Sequence, residues 1–150
     1  MDPNNLPLDP TARQRVNDPI PIPTTCPNCG AEVKLVKNSE IYNGREFGKW
    51  PYAYLCVDRE NCNSYVGLHP GTDIPLGVLA DDATRLARRK AKEYFQPLWR
   101  GKRTRFRERT EAYQWLADEL GIPFEECHFG WFDEDMAVRA ERICKREALR

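Results

Sequence analysis

The sequence has no apolar run approaching the roughly 20 residues that a membrane helix needs, so a helical integral membrane protein is not expected. Its first 23 residues, "MDPNNLPLDPTARQRVNDPIPIP", lack both a basic start and an apolar core, so they do not read as a secretory signal. The expected location is therefore the cytoplasm, where thiols stay reduced and structural disulfides are rare. No Walker loop, dinucleotide fingerprint or nucleophile elbow occurs, which removes the common signatures of nucleotide-dependent and serine-hydrolase chemistry. Net charge is also missing, with 23 basic residues against 23 acidic ones.

That neutrality conceals segregation. Residues 81–110 carry 11 basic side chains and 4 acidic ones, whereas residues 111–135 carry 8 acidic and no basic ones. A polyanion meeting the first of these segments finds a strongly positive band despite the overall balance. The N-terminal 23 residues hold six prolines and little that can pack, and are expected to be disordered, or ordered only against the body or a partner.

Six cysteines are present, and four fall in the pattern Cys26-x2-Cys29-x26-Cys56-x5-Cys62. Two close pairs separated by a hairpin-sized insert suit a tetrahedral thiolate site, each pair bringing two sulfurs about 2.3 Å from one zinc. The insert supports this. "AEVKLVK" and "WPYAYLCV" alternate like strands, Asn43-Gly44 is a turn signal, and "NSYVGL" supplies a short closing strand. A redox Cys-x-x-Cys needs a helix after Cys29, and none is patterned there; a disulfide framework needs an oxidising compartment. The expectation is a zinc ribbon over residues 24–68, folded around one structural zinc. Four thiolates leave that ion no open position for water.

The ribbon segment, "CPNCG" followed by a hairpin and "CVDRENCNSY", resembles the four-cysteine ribbons at the C-terminus of bacterial type I topoisomerases over residues 24 to about 67. That resemblance implies contact with single-stranded DNA. Independently, six of the 16 aromatic residues lie between positions 42 and 65: Tyr42, Phe47, Trp50, Tyr52, Tyr54 and Tyr65. Exposed rings stack bases for about 1–3 kcal/mol each, although such rings also form the core of a small ribbon. Trp50, Tyr52, Tyr54 and Tyr65 are the ribbon's candidate stacking residues.

After a turn-rich connector at 69–80 the period changes from two to 3.6. "DDATRLARRKAKEYFQPLW" places Leu86, Ala87, Ala91, Tyr94, Phe95 and Leu98 on one helical face, with an aspartate cap at 81 or 82 and Pro97 ending the helix. "RTRFRERTEAYQWLADELG" gives a second helix stopped by Gly121, with basic residues in its first turns against the dipole preference. "DEDMAVRAERICKREALR" gives a third, capped by Asp133, with Met136, Ala140, Ile143 and Cys144 turned inward. The fold class expected is α+β: a small antiparallel ribbon, then a three-helix part over 81–150 packed on it.

"CPNCGAEV", "YVGLHPGTDIPLGVLAD", "AKEYFQPLW", "EAYQWLADELGI" and "ECHFGWFD", in this order, resemble a zinc-finger-containing family of unknown function found in phages, prophages and some bacteria. The likeness runs from about residue 24 to 145 and implies a zinc module fused to a helical part, with no established reaction. The chain reads "KAKEYF" and "WFDEDM" where the family pattern carries a further histidine and cysteine, which argues against a second metal there.

The remaining chemistry-bearing residues are His69, Cys127, His128 and Cys144. They read as a second metal site, as a Cys-His pair, or as loop braces and small core residues, the last being favoured. Asp133, Glu134 and Asp135 raise a metal-dependent nuclease, but capping and the dipole account for acids in a first helical turn. The expectation is a non-enzymatic, phage-derived accessory protein that contacts nucleic acid, single-stranded DNA favoured. Its ribbon aromatics act with a basic band of Arg85, Arg88, Arg89, Lys92, Lys102, Arg103, Arg105 and Arg107. The competing reading is a protein-interaction module that grips a host enzyme or complex, favoured by the acidic stretch 111–135 and the Pro-rich tail.

Overall fold

A computed structural model describes residues 5–150. The chain divides into two compact units that meet at Asp81 and Asp82.

The first unit is built on an antiparallel sheet of three strands, β1 (Val33–Lys37), β2 (Tyr52–Cys56) and β3 (Tyr65–Gly67), with β2 in the middle. Val33 pairs with Cys56 and Leu35 with Tyr54, so these side chains share one face. Leu6, Cys26, Leu68 and Leu79 complete the cluster on that side. Ala53 and Leu55, on the opposite face of β2, are buried as well. A central strand covered on both faces leaves Ala53, Tyr54 and Leu55 no surface for a ligand arriving from solvent.

Residues 5–16 lie against this unit. Leu6 enters the core cluster, and the short helix α1 (Pro10–Gln14) is capped by the Asp9 carboxylate, which accepts the Thr11 N–H at 3.0 Å. The Asp9 N–H donates to the Gly71 carbonyl at 2.8 Å, and Arg13 pairs with Asp73 at 3.1 Å. Gly71, at φ +78°, makes the approach feasible, since a Cβ there would stand 2.9 Å from that of Ala12. The expected tail thus contains an ordered segment held by the body; residues 1–4 of it lie outside the described residues.

The stretch expected as a connector, 69–80, folds back along β3. Ala80 bridges Tyr65, Pro75 bridges Leu68, and the His69 N–H reaches the Ile74 carbonyl at 2.9 Å. Leu79 then seals the cysteine cluster.

The second unit contains α2 (Asp82–Phe95), α3 (Arg109–Leu120) and α4 (Glu134–Ala148). The α2 stripe is Thr84, Ala87, Ala91 and Phe95, facing Ala137, Ala140 and Cys144 of α4 in a common core. Small side chains at these positions bring the two helices close together, and larger ones, Leu116, Phe106 and Phe129, fill the remainder.

Two helical expectations need correction. Leu86 is 42% exposed rather than core, because Ala87 and Ala91 centre the buried stripe one position round the helix. The helix expected from residue 103 begins only at Arg109: the buried Phe106 donates its N–H to the Leu98 carbonyl at 2.8 Å, and this tether holds residues 99–108 as a loop. Arg103, Arg105 and Arg107 therefore precede the helix, and the dipole inversion shrinks to Arg109 at its first position and the acids Asp118 and Glu119 in its last turn. Gly121 ends α3 at φ 73°, and Asp133 caps α4 by accepting the Met136 N–H at 2.8 Å.

Candidate metal centre

Cys26 and Cys29 stand on a tight knuckle before β1. The Gly30 N–H donates to the Cys26 carbonyl at 2.9 Å, and Gly30 turns the chain at φ +83°. Cys56 is the last residue of β2, and Cys62 lies on a second knuckle where the Cys62 and Asn63 N–H groups both reach the Asp58 carbonyl. Sheet register thus delivers Cys56 to the N-terminal knuckle, since β1 starts directly after it.

The sulfurs converge. Cys26 Sγ is 3.7 Å from Cys62 Sγ, Cys29 Sγ is 3.4 Å from Cys56 Sγ, and all four lie within 4.8 Å of one another. A tetrahedron with metal–sulfur bonds of about 2.3 Å has edges of about 3.8 Å. A disulfide needs its sulfurs about 2.05 Å apart, and all six cysteines are free thiols. The donor set therefore fits zinc. Among the described residues, no other group of three or more His, Cys, Asp or Glu donors converges.

The surroundings tune the thiols unequally. Burial pushes Cys26 up, but the backbone N–H groups of Asn28 and Cys29, with the Ser64 and Cys62 side chains, outweigh it and bring the thiol down to about 7. Burial raises Cys56 to about 12 and raises Cys62 too. Ser64, itself buried, places its Oγ 3.0 Å from Cys62 Sγ and accepts from Asn28 Nδ2 at 2.9 Å; Asn28 also donates to the Leu79 carbonyl. Asn28 and Ser64 thus hold both knuckles in register around the sulfurs. Their signal in the sequence is only that each lies within two positions of a ligand, in "CPNCG" and "NCNSY".

The expected stacking rings separate into two groups. Tyr54 is corrected to a core residue: it is 4% exposed, and its hydroxyl donates to the Asp73 carbonyl. Trp50 and Tyr52 are half-buried against the same cluster, edge to face at 4.9 Å, with Trp50 Nε1 donating to the Thr72 carbonyl. Tyr65 is half-exposed and lies 6.2 Å from Tyr42. The exposed rings are Tyr42 (38%) and Phe47 (48%), packed edge to face at 4.9 Å, with the Arg45 guanidinium 5.5 Å from the Phe47 centroid. These two stand on the excursion between β1 and β2. Alternation along the strands could not single them out, because they lie outside the strands.

The basic residues also differ. Arg85 pairs with Asp82, Arg88 Nε donates to the Phe132 carbonyl at 2.7 Å, and Arg105 pairs with Glu147 at 2.9 Å. Arg89 and Lys92 are exposed on α2, and Lys102, Arg103 and Arg107 on the loop before α3. Cys127 and Cys144 are buried in the helical core, where burial pushes their thiols up to about 11 and about 12, unsuited to act as thiolates. His128 stacks on Trp131 at 4.2 Å, and burial lowers the pKa of His69.

Two cysteine knuckles flanking a three-stranded antiparallel sheet, with four sulfurs at tetrahedral spacing, define a zinc-ribbon module with one structural zinc. The chain belongs to the family described as a zinc-finger-containing domain, which matches residues 22–147. No curated protein and no solved structure matches it.

Proposed function

We propose that this zinc-organised protein contacts nucleic acid, single strands above all, and catalyses no reaction. The observation carrying this reading is the exposed ring pair Tyr42 and Phe47 with Arg45 alongside, on a loop anchored to the metal module. Stacked bases and a nearby guanidinium are the usual equipment for sequence-tolerant single-strand binding. Exposed Arg89, Lys92, Lys102, Arg103 and Arg107 supply phosphate neutralisation from the helical unit. The likeness of the cysteine ribbon to topoisomerase ribbons supports the strand preference, and the family resemblance supports a phage or prophage accessory role. Six free thiols agree with a reducing, cytoplasmic setting, and among the described residues no helix is long and apolar enough to cross a membrane.

Anisotropy titrations with labelled oligothymidylate, RNA and duplex test this reading. Single-strand affinity should fall with salt by about 0.7 log units per log unit for each phosphate neutralised. The double substitution of Tyr42 and Phe47 by alanine should weaken binding by at least about tenfold, from the stacking energy of about 1–3 kcal/mol per base. No binding at low salt removes the proposal. A second reading, docking to a host protein, is favoured by an apolar groove of about 310 Å3 bordered by Pro21, Pro23, Pro27 and Pro75. Partner capture from a bacterial lysate that survives nuclease treatment would favour it.

A further inference from the structure

A groove of about 450 Å3 runs along α2, with Arg88, Arg89, Lys92 and Gln96 on one side and Phe129 and Gly130 on the other. From these features we infer that the groove is a seat for a phosphate monoester, carried on the end of a nucleic-acid strand or on a free nucleotide. The inference rests on the proposed contact with nucleic acid and assigns it a specific terminal site.

The groove's three cations sit within four positions of one helix, so Arg88 and Arg89 each lie one turn from Lys92. Like charges at that spacing repel, and an anion between them removes the repulsion. Arg88 is fixed in place, its Nε donating to the Phe132 carbonyl at 2.7 Å. Arg89 and Lys92 make no ion pair or hydrogen bond with any described residue, although Glu93 adjoins them in the groove wall.

Counting Glu93, the lining carries a net charge of +2. A monoester carries about −1.5 to −2 at neutral pH, whereas each phosphodiester of a strand interior carries a single charge. The negative end of α2 opposes an anion with about half a charge, which the three cations exceed. Gln96 adds an amide donor, and Gly130 brings no side chain of its own to the wall it shares with Phe129, so the phosphate can approach closely there.

The test uses the zinc-loaded full chain and short labelled oligothymidylates bearing a terminal phosphate or a hydroxyl at the same end, 5′ and 3′ in turn. The phosphorylated form should bind about tenfold tighter at one end, the worth of about one charge-assisted hydrogen bond. The double variant R89A/K92A should lose that preference and keep its zinc and helical content. The control K102A/R103A should weaken both oligomers equally and retain the preference. Competition by adenosine monophosphate assigns the site to any phosphate monoester; preference without such competition assigns it to strand ends. Equal affinity for both ends, or a preference surviving R89A/K92A, overturns the inference while leaving general strand binding intact. If adenosine monophosphate binds in an Arg89- and Lys92-dependent manner and no oligomer does, the groove stands and the strand-binding proposal falls.

Discussion

Stripping the zinc from the full chain with a strong chelator should unfold the first unit and leave the second folded. The sheet has one five-residue strand on its outer side and a three-residue strand on the other, and its main cluster contains two of the metal ligands, Cys26 and Cys56. Removing the ion removes the links that hold the two knuckles together at sulfur separations of 3.4 and 3.7 Å. Structural zinc is worth about 10–16 kcal/mol in small peptides at neutral pH, against about 5–15 kcal/mol for the whole stability of an ordinary domain. The metal term is therefore as large as anything the remaining contacts can supply. The second unit owns a separate core, from Ala87 to Cys144, and among its described residues no three metal donors converge. Hydrogen exchange resolved by segment reads both halves at once. Amides of residues 33–37 and 52–56 should lose protection on chelation, while those of 86–95 and 137–147 keep theirs. Elemental analysis should find one zinc per chain beforehand. Persistent protection of the strands in zinc-free protein would refute the reasoning, because the sheet would then hold without its four-sulfur centre. The variant Cys56→Ser gives a second reading of the same point, with weaker zinc retention and lower protection in the strands alone.

Zinc binding at pH 7 should release at least two protons, because Cys56, at about 12, and Cys62, raised by burial, both hold theirs without metal. The loaded form binds fewer protons than the free form, so acid favours release, and zinc retention measured against pH should fall as pH is lowered. Gly71→Ala should cost about 1–3 kcal/mol, since it adds a Cβ 2.9 Å from that of Ala12 at a left-handed φ; limited proteolysis should show faster cleavage around residues 5–16. Ala140→Leu adds three carbons at a fully buried helix contact and should cost about 1–3 kcal/mol, read as a lower melting temperature at unchanged zinc content.

The parts legible in the sequence were those fixed by local chemistry. Cysteine spacing specified the metal site, because no other common arrangement needs two short pairs around a hairpin-length insert. Strand alternation located β1 and β2, and the caps at Asp133 and Gly121 were read from the residues that make them. What escaped was tertiary. Leu6 and Ala12 carry no periodic signal: Leu6 packs into the ribbon cluster, and the packing of Ala12 depends on Gly71, far along the chain. Residues 69–80 look like a linker because Pro70, Gly71, Pro75 and Gly77 punctuate them, yet their bridges to Leu68 and Tyr65 make them part of the sheet's edge. Arginines are good helix formers, so the sequence suggests an earlier start for α3; the left-handed Gly101 and Arg103, at φ 115° and 55°, and the Phe106 to Leu98 hydrogen bond turn the chain instead.

Tyr54 and Tyr42 looked alike as aromatic residues of a ribbon, and their separation ties the metal to the proposed ligand surface. Tyr54 lies on β2 and is consumed by the core that the zinc organises. Tyr42 and Phe47 lie on the excursion beyond β1, whose shape is held by two sets of hydrogen bonds. Asn38 clamps its base, donating its N–H to the Pro51 carbonyl at 2.8 Å and its side-chain amide to the Phe47 carbonyl at 2.9 Å, while accepting the Phe47 N–H. Arg59, on the Cys56–Cys62 knuckle, donates from its Nη1 to the Glu40 carbonyl at 2.8 Å. The second metal knuckle thus braces the loop that displays the rings. Arg59→Ala should leave zinc bound, since Arg59 is not a ligand, and should weaken oligothymidylate binding by freeing the loop. A loss of affinity at constant zinc content separates ring placement from folding; unchanged affinity would mean that the loop needs no brace from the knuckle.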